Sequence, residues 1–297
     1  MLDRFLLVVL ADEHAGSNLA LCNPNTVINR SVPVVGEDGS VHMDIEEIPV
    51  EYNPILEMVW DKYLEGIEKF IKIADGDPIF ILKLGEVCEG TYYANSSMNL
   101  HKDEQVQMAV WNMKPWLGVE NVKMIRICTG DRPHEFDEGA AAKIVAGRLK
   151  NFFPDVRAVN HGLLDIGGFR IDYAHKGPAP GSRKWLEGNV ARYYLTDYMM
   201  REQIEFGRKP ADLVLRAHYH EPVEERRALR YRDGMIRSGI LIAPCLKFPD
   251  AYAKTVTGNR FSAAIGTTAV EVVKGKLHDF HDNFTVVDTR TWEVYDG

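Results

Sequence analysis

Cysteine is scarce in this chain. Its four copies, Cys22, Cys88, Cys128 and Cys245, never fall into a C-x-x-C spacing. That argues against a zinc-finger or thioredoxin-type frame, and with no secretory leader in view it points to a reducing cytoplasm. Long apolar runs are also missing, since nothing approaches the ~20 residues needed to cross a bilayer. The first run, residues 5–11, passes straight into Asp12 and His14, so it reads as a buried strand and not as a signal peptide. No GxxxxGK[ST] occurs, and Gly162, Gly167 and Gly168 are too scattered to cradle a phosphate. Positive charge is in deficit, with 35 Lys and Arg against 43 Asp and Glu, a net −8 that argues against wholesale nucleic-acid binding.

Apolar runs that stop abruptly at acids and imidazoles are what the chain does have. Residues 5–11 end at Asp12-Glu13-His14, with Gly16 beyond, and residues 78–84 end at Gly85-Glu86-Val87-Cys88-Glu89-Gly90. Residues 122–128 end at Thr129-Gly130-Asp131-Arg132-Pro133-His134-Glu135, and residues 212–217 end at His218-Tyr219-His220. Short apolar runs bounded by glycine or charge read as buried strands. Open α/β sheets bind ligands outside the carboxyl ends of their strands, so four such ends offer carboxylate oxygen and imidazole nitrogen to one crevice. Residues 169–174 read as a further strand that delivers His175, with His161 as the competing imidazole.

This ordered set, Asp-x-His, Gly-acid, Gly-x…His-acid, a lone His, then His-x-His, resembles the calcineurin-like metallophosphoesterase family, whose pattern runs DxH, GD, GNH(D/E), H, GHxH. The resemblance spans roughly residues 5–221. It implies an α/β fold in the form of a four-layer α/β/β/α sandwich with two mixed β-sheets. It also implies two divalent metal ions: Asp12, His14 and His220 on the first, His175 and His218 on the second, Glu86 bridging, and Asp131 as a further ligand. His134 would act on the leaving group of a phosphate ester. The mixed imidazole and carboxylate set suits Mn²⁺, Fe, Zn²⁺ or Ni²⁺ better than Mg²⁺ or Ca²⁺. Three departures accompany the match. Glu86 is one methylene longer than the family's Asp, Asp131 is separated from His134 by Arg132-Pro133, and Ala217 replaces a Gly.

At 297 residues and 45% hydrophobic content the whole chain, 1–297, is expected to form one domain. Helices are expected at 54–74, where Ile55, Met58, Val59, Tyr63, Ile67 and Phe70 recur at three- and four-residue steps, and at 102–117, 138–152 and 189–206. Residues 17–44 read as a long loop with a short hairpin at Glu37-Asp38-Gly39. From about residue 236 the chain turns β-rich, at 236–243, 263–273 and 283–294, which suits the second sheet of a sandwich. Cys88 is either a soft ligand or a small buried hydrophobe, and His278 and His281 read as surface residues.

Arg226, Arg227, Arg230, Arg232 and Arg237 cluster after His220, with Arg183 and Lys184 after His175. Arg132, Arg226 and Arg227 are the candidate phosphate-binding cations. Glu221, Glu224, Glu225 and Asp233 interleave with them, which equally fits a solvated helix or hairpin. The expected function is therefore a dinuclear-metal phosphoesterase, a phosphodiesterase or nuclease first, with nucleic acid among its candidate substrates. A small-molecule phosphomonoesterase and a non-catalytic member of the same fold are the alternatives. No membrane partner is expected.

Overall fold

The computed structural model describes residues 2–92, 97–98, 100–136, 139–181, 183–231, 234–257, 260–291 and 293–294. Numbered in chain order, six strands form one mixed sheet in the order β13 (Lys276–Asp288), β12 (Ser262–Val273), β1 (Arg4–Leu10), β4 (Ile79–Lys83), β5 (Val122–Cys128) and β6 (Val156–Val159). A second mixed sheet runs β10 (Val223–Tyr231), β11 (Gly234–Ile242), β9 (Leu213–Ala217), β8 (Phe169–Lys176) and β7 (His161–Ile166). A third is a two-stranded ribbon of β2 (Val27–Val35) and β3 (Val41–Pro49). Five α-helices accompany them among the described residues: α1 (Pro54–Ala74), α2 (Lys102–Leu117), α3 (Ala140–Leu149), α4 (Asn189–Ile204) and α5 (Ala251–Val256).

The alternation of side chains along β1 explains why its run is apolar throughout. Phe5, Leu7 and Val9 enter a core shared with Phe169 and Ile171 of β8 and Leu213 and Leu215 of β9, between the two large sheets. Leu6, Val8 and Leu10 point the other way, into a core with Val59, Tyr63 and Phe70 of α1, Val106 and Met113 of α2, and Val145 and Leu149 of α3. A third core joins Ala191, Leu195 and Met199 of α4 to Val214 of β9 and to Ile240 and Ile242 of β11. Strands buried on both faces need apolar residues at every position.

Local signals set the helix ends. Asn53 caps α1, its side chain accepting from the backbone N–H groups of Ile55 and Leu56, and Pro54 fills the first turn. Asp75 closes α1 in the left-handed region at φ 47°. No helix among the described residues is long and apolar enough to cross a membrane.

Two expectations about elements need correction. Residues 17–44 contain one strand and the start of another, because β2 and β3 pair from Val27↔Pro49 to Val35↔Val41. Every residue of β3 but Ile48 is exposed, so no one-sided burial prints the period of two into the sequence. The β-rich ending does not form one sheet. β10 and β11 join the second sheet, while β12 pairs antiparallel with β1 and carries β13 to the edge of the first. Alternation identifies a strand and its faces but not its neighbour. His278 and His281, read as surface residues, lie within β13, His278 exposed and His281 half-buried with Nε2 2.9 Å from Glu271 Oε2. Helix α3 starts at Ala140; Glu138, its expected first residue, and Arg232, Asp233 and residue 292 lie outside the described residues.

Beneath the end of β9, Arg216 is only 1% exposed. Its Nη2 donates to Asp172 Oδ1 at 2.6 Å and to the Tyr194 hydroxyl at 3.0 Å. Removing one partner of a buried pair leaves the other charge uncompensated. Asp172→Ala should therefore cost about 3 kcal/mol in urea unfolding at neutral pH, and a loss below about 1 kcal/mol would contradict this.

Candidate metal centre

Both large sheets deliver their chemistry at the C-terminal ends of parallel strands. β1, β4 and β5 run parallel to one another, as do β8 and β9. Asp12 and His14 follow β1, Glu86 follows β4, Asp131 and His134 follow β5, His175 sits in the last turn of the β8 ladder, and His218 and His220 follow β9. The backbone there is strained. Asp12, His14, Glu86, His218 and His220 take φ of 52°, 46°, 48°, 80° and 55°, the left-handed region that side chains with a Cβ avoid. Each such residue costs on the order of 1–3 kcal/mol, and such strain tends to gather at functional sites. Two glycines allow the close approach. A Cβ on Gly85 would stand 2.5 Å from His175 Nδ1, and one on Gly130 would stand 2.5 Å from the Glu86 nitrogen.

Three groups of ligand-type atoms result among the described residues, each with all atoms within 4.8 Å of one another: His14, Glu89 and His134 form one, and the other two are Asp12, His14, Glu86 and His220, and Glu86, His175 and His218. Glu86 belongs to both of the latter. Its Oε2 lies 2.8 Å from His14 Nε2, and its Oε1 lies 3.1 Å from His175 Nε2 and 3.5 Å from His218 Nδ1. Each oxygen thus faces one group, so the one carboxylate could serve both. His220 Nε2 is 3.8 Å from Asp12 Oδ2, and that same oxygen accepts from the His218 backbone N–H at 3.2 Å. Asp12 Oδ1 is buried with no hydrogen bond, while both ring nitrogens of His14 face buried carboxylate oxygens, Glu86 Oε2 at 2.8 Å and Glu89 Oε2 at 2.9 Å. Buried polar atoms without a hydrogen bond call for another partner, and this mix of imidazole and carboxylate fits a pair of divalent metal ions.

Sequence-expected residues are not all placed alike. Asp131 stands outside all three groups at the cavity rim, 3.1 Å from Lys176 Nζ and 3.6 Å from His218 Nδ1. His161 is excluded from the cluster: it lies on β7 with Nε2 2.9 Å from Asp172 Oδ1, so His175 is the imidazole that joins. Arg226 pairs with Glu224, and Arg227 donates to Thr196, both from β10 and neither lining the cavity. Their expected role in gripping phosphate is not met by their position. Arg132 is exposed on a short 3₁₀ turn, Arg132–His134, beside the rim. Cys88 is fully buried in the α1–α3 core, and burial pushes its thiol well up.

Sequence reading missed Glu89, Lys247 and Asp250. Glu89 is fully buried, with Oε2 2.9 Å from His14 Nδ1, and Lys247 Nζ donates to both its oxygens at 3.0 and 2.9 Å. Lys247 also reaches Asp250 Oδ2 at 3.0 Å. A carboxylate behind a ligating histidine orients the ring and raises its basicity. Backbone carbonyls do the same elsewhere: His134 Nδ1 is 2.6 Å from the Glu89 oxygen and His175 Nδ1 is 2.6 Å from the Leu84 oxygen. Carbonyls only accept, so both rings carry their proton on Nδ1 and turn Nε2 inward. Glu135 fixes the loop, accepting from the N–H of Gly130 at 2.6 Å and of Ala142 at 3.0 Å. The available signal was a lone Lys247 in an otherwise apolar stretch and a second acid three residues after Glu86.

Charge balance in the cluster is tight. Burial favours a neutral Glu86, but His14 and His175 outweigh it and hold the carboxyl well below the usual range. Burial, with Glu86 adding, pushes Asp12 up to about 6. Burial opposes charge on His175, yet Glu86 and Asp12 raise it to about 10. Burial and the neighbouring His14 lower His134 to about 4 and His220 to about 3.

No family model matches the sequence, and no curated protein matches it. Among solved structures, the chain is similar to one described as a novel archaeal phosphodiesterase, at 11% identity over 95% of this chain and 99% of that one, with a TM-score of 0.39. It is also similar to a protein of unknown function from Aquifex aeolicus, at 11% identity over 77% of this chain and 82% of that one, with a TM-score of 0.29. Likeness at that level carries no functional argument, and the site is read from its own geometry.

His175 holds a proton up to about pH 10 in the absence of metal, and Asp12 takes one up below about pH 6. Divalent metal must displace those protons, so affinity should rise steadily from about pH 5 to about pH 8 with net proton release. Calorimetry with Zn²⁺ in buffers of different ionisation enthalpy measures both, and uptake independent of pH would contradict the assignment.

Proposed function

We propose that the protein is a dinuclear-metal-dependent phosphoesterase that hydrolyses phosphodiesters in preference to monoesters, built as a four-layer α/β/β/α sandwich. The observation that carries the reading is Glu86, buried and strained, with one carboxylate oxygen facing each of the two groups it belongs to. Asp12, His14 and His220 would hold one ion and His175 and His218 the other, with Mn²⁺, Fe, Zn²⁺ or Ni²⁺ as the fitting metals. When bound, such a pair supplies Lewis-acid polarisation of the phosphoryl group and a nucleophile at neutral pH. Asp131, held 3.1 Å from Lys176 Nζ at the rim, would complete the second group if its side chain turned inward.

His134 has a separate part. Its Nε2 lies 4.0 Å from Glu86 Oε1, inside the cavity, with Nδ1 committed to the Glu89 carbonyl. A phosphate anion entering the cavity favours the protonated imidazole. Nε2 can then pass its proton to the departing oxygen. Lys176 and Arg260 line the same cavity and would take the phosphate-gripping part first assigned to Arg226 and Arg227, while Arg132 is exposed on the adjoining 3₁₀ turn. Four buried, unpaired cysteines accord with a cytoplasmic setting.

With added Mn²⁺ the protein should hydrolyse bis-p-nitrophenyl phosphate faster than p-nitrophenyl phosphate. His14→Ala and His218→Ala should each lower that rate by more than about 100-fold, beyond the effect typical of residues behind the ligands, while urea unfolding stays near that of the parent. A parent protein inert on both esters, or a His218→Ala variant of parental activity, would overturn the reading. His134→Asn should keep its metal and lose about 10²–10⁴-fold in turnover. That loss should shrink for p-nitrophenolate, which needs no proton to leave, against an alkoxide; equal losses would make His134 a binding residue only.

A further inference from the structure

The cavity at the metal centre, about 440 Å³ in volume, has a wall that the hydrolytic reading does not use. Phe248 and Pro249, from the segment after β11, Tyr252 and Val256 of α5, and Ala263 of β12 all line it together with His14, Glu86 and His134. Tyr252 and Val256 remain 52% and 61% exposed despite their size. Their distance from the metal ligands is fixed by one chain of contacts. Asp250 caps α5 by accepting from the Ala253 N–H at 2.8 Å and also holds Lys247, which holds Glu89 behind His14.

Cations at the cavity are each matched to an acid: Lys176 to Asp131 at 3.1 Å, Arg260 to Glu221 at 2.6 Å, and Lys247 to Glu89 at 2.9 Å. A nucleic-acid strand is gripped by a positively charged groove that follows successive phosphates. Here the net charge is −8, and Arg226 and Arg227 lie off the cavity on β10. A pocket of this volume with one polar end and one apolar, aromatic side is the usual form of a small-molecule site.

We propose that the cavity selects a small phosphate ester bearing an aromatic group, with its phosphate on the metal centre and its ring against Phe248, Tyr252 and Val256. This rests on the phosphoesterase reading in that it places the phosphate at the metal ligands. A nucleobase and a plain aryl ring share the required chemistry, a flat face to lay against the wall.

Calorimetry of the Mn²⁺-loaded protein with inorganic phosphate, methyl phosphate, phenyl phosphate and adenosine monophosphate separates the possibilities. Inorganic phosphate should bind, and phenyl phosphate should bind at least about tenfold tighter than methyl phosphate, since the ring removes apolar surface from water. Adenosine monophosphate tighter than phenyl phosphate assigns the wall to a nucleobase; the reverse order assigns it to an aryl group. Tyr252→Ser and Val256→Asn, both at exposed positions, should erase the ring's advantage and leave inorganic phosphate unchanged. Equal affinities for phenyl and methyl phosphate, or wall variants that keep the advantage, overturn this inference while the phosphoesterase reading stands. Failure of inorganic phosphate to bind removes both. A single-stranded oligonucleotide that outcompetes every small ester would assign the cavity to a polymer and overturn the proposal.

Discussion

Everything at this site depends on Glu86 being a charged carboxylate with almost no water. Burying an ion is tolerated only when opposite charge stands beside it. Here His14 meets one oxygen and His175 the other, while Asp12, also buried, competes for the same positive charge. His14 lies between two carboxylates, Glu86 and Glu89, and Asp12 Oδ1 is left buried without a hydrogen bond. Two cations, as proposed, would supply the partner that Asp12 Oδ1 lacks and the positive charge that the buried carboxylates call for.

The rest of the fold makes such a concentration of charge and strain affordable. The core between the large sheets holds β1 and β4 against β8 and β9, so that four strand ends meet from two sides. Behind the first loop, Glu13 points away from the cluster and is paired with Lys83, both about 1% exposed, at 2.9 Å. That pair ties the Asp12-Glu13-His14 turn to β4. Arg216 and Asp172 do the same below His218, tying β9 to β8. Left-handed backbone at five site residues is therefore over-determined by neighbours that cannot relax.

Much of the candidate site was legible because the residues that converge there stand out locally. Asp12, His14, His218 and His220 each sit within three residues of the end of an apolar run, and the strand-end rule gathers such positions without any knowledge of the topology. Helix α1 was legible to the residue, since its cap, its proline and its periodicity agree. What failed depends on long-range packing. Glu89, Lys247 and Asp250 form one buried chain of charge across 158 residues of sequence, and no local pattern encodes that meeting. The arginines of β10 show the opposite error: a basic cluster near His220 in sequence faces away in space, because period-two alternation sends Arg226 and Arg227 to the two faces of an edge strand. The β2–β3 ribbon escaped because β3 is exposed on both faces and β2 buries only Ile28, leaving little hydrophobic rhythm.

Anomalous diffraction from crystals soaked in Mn²⁺ tests the central claim most directly. The account predicts two peaks about 3.5–4 Å apart, the spacing of two-metal sites, one among Asp12, His14, Glu86 and His220 and one among Glu86, His175 and His218, with a Glu86 oxygen on each. A single peak, peaks away from these side chains, or a Glu86 turned out of the cluster would contradict it.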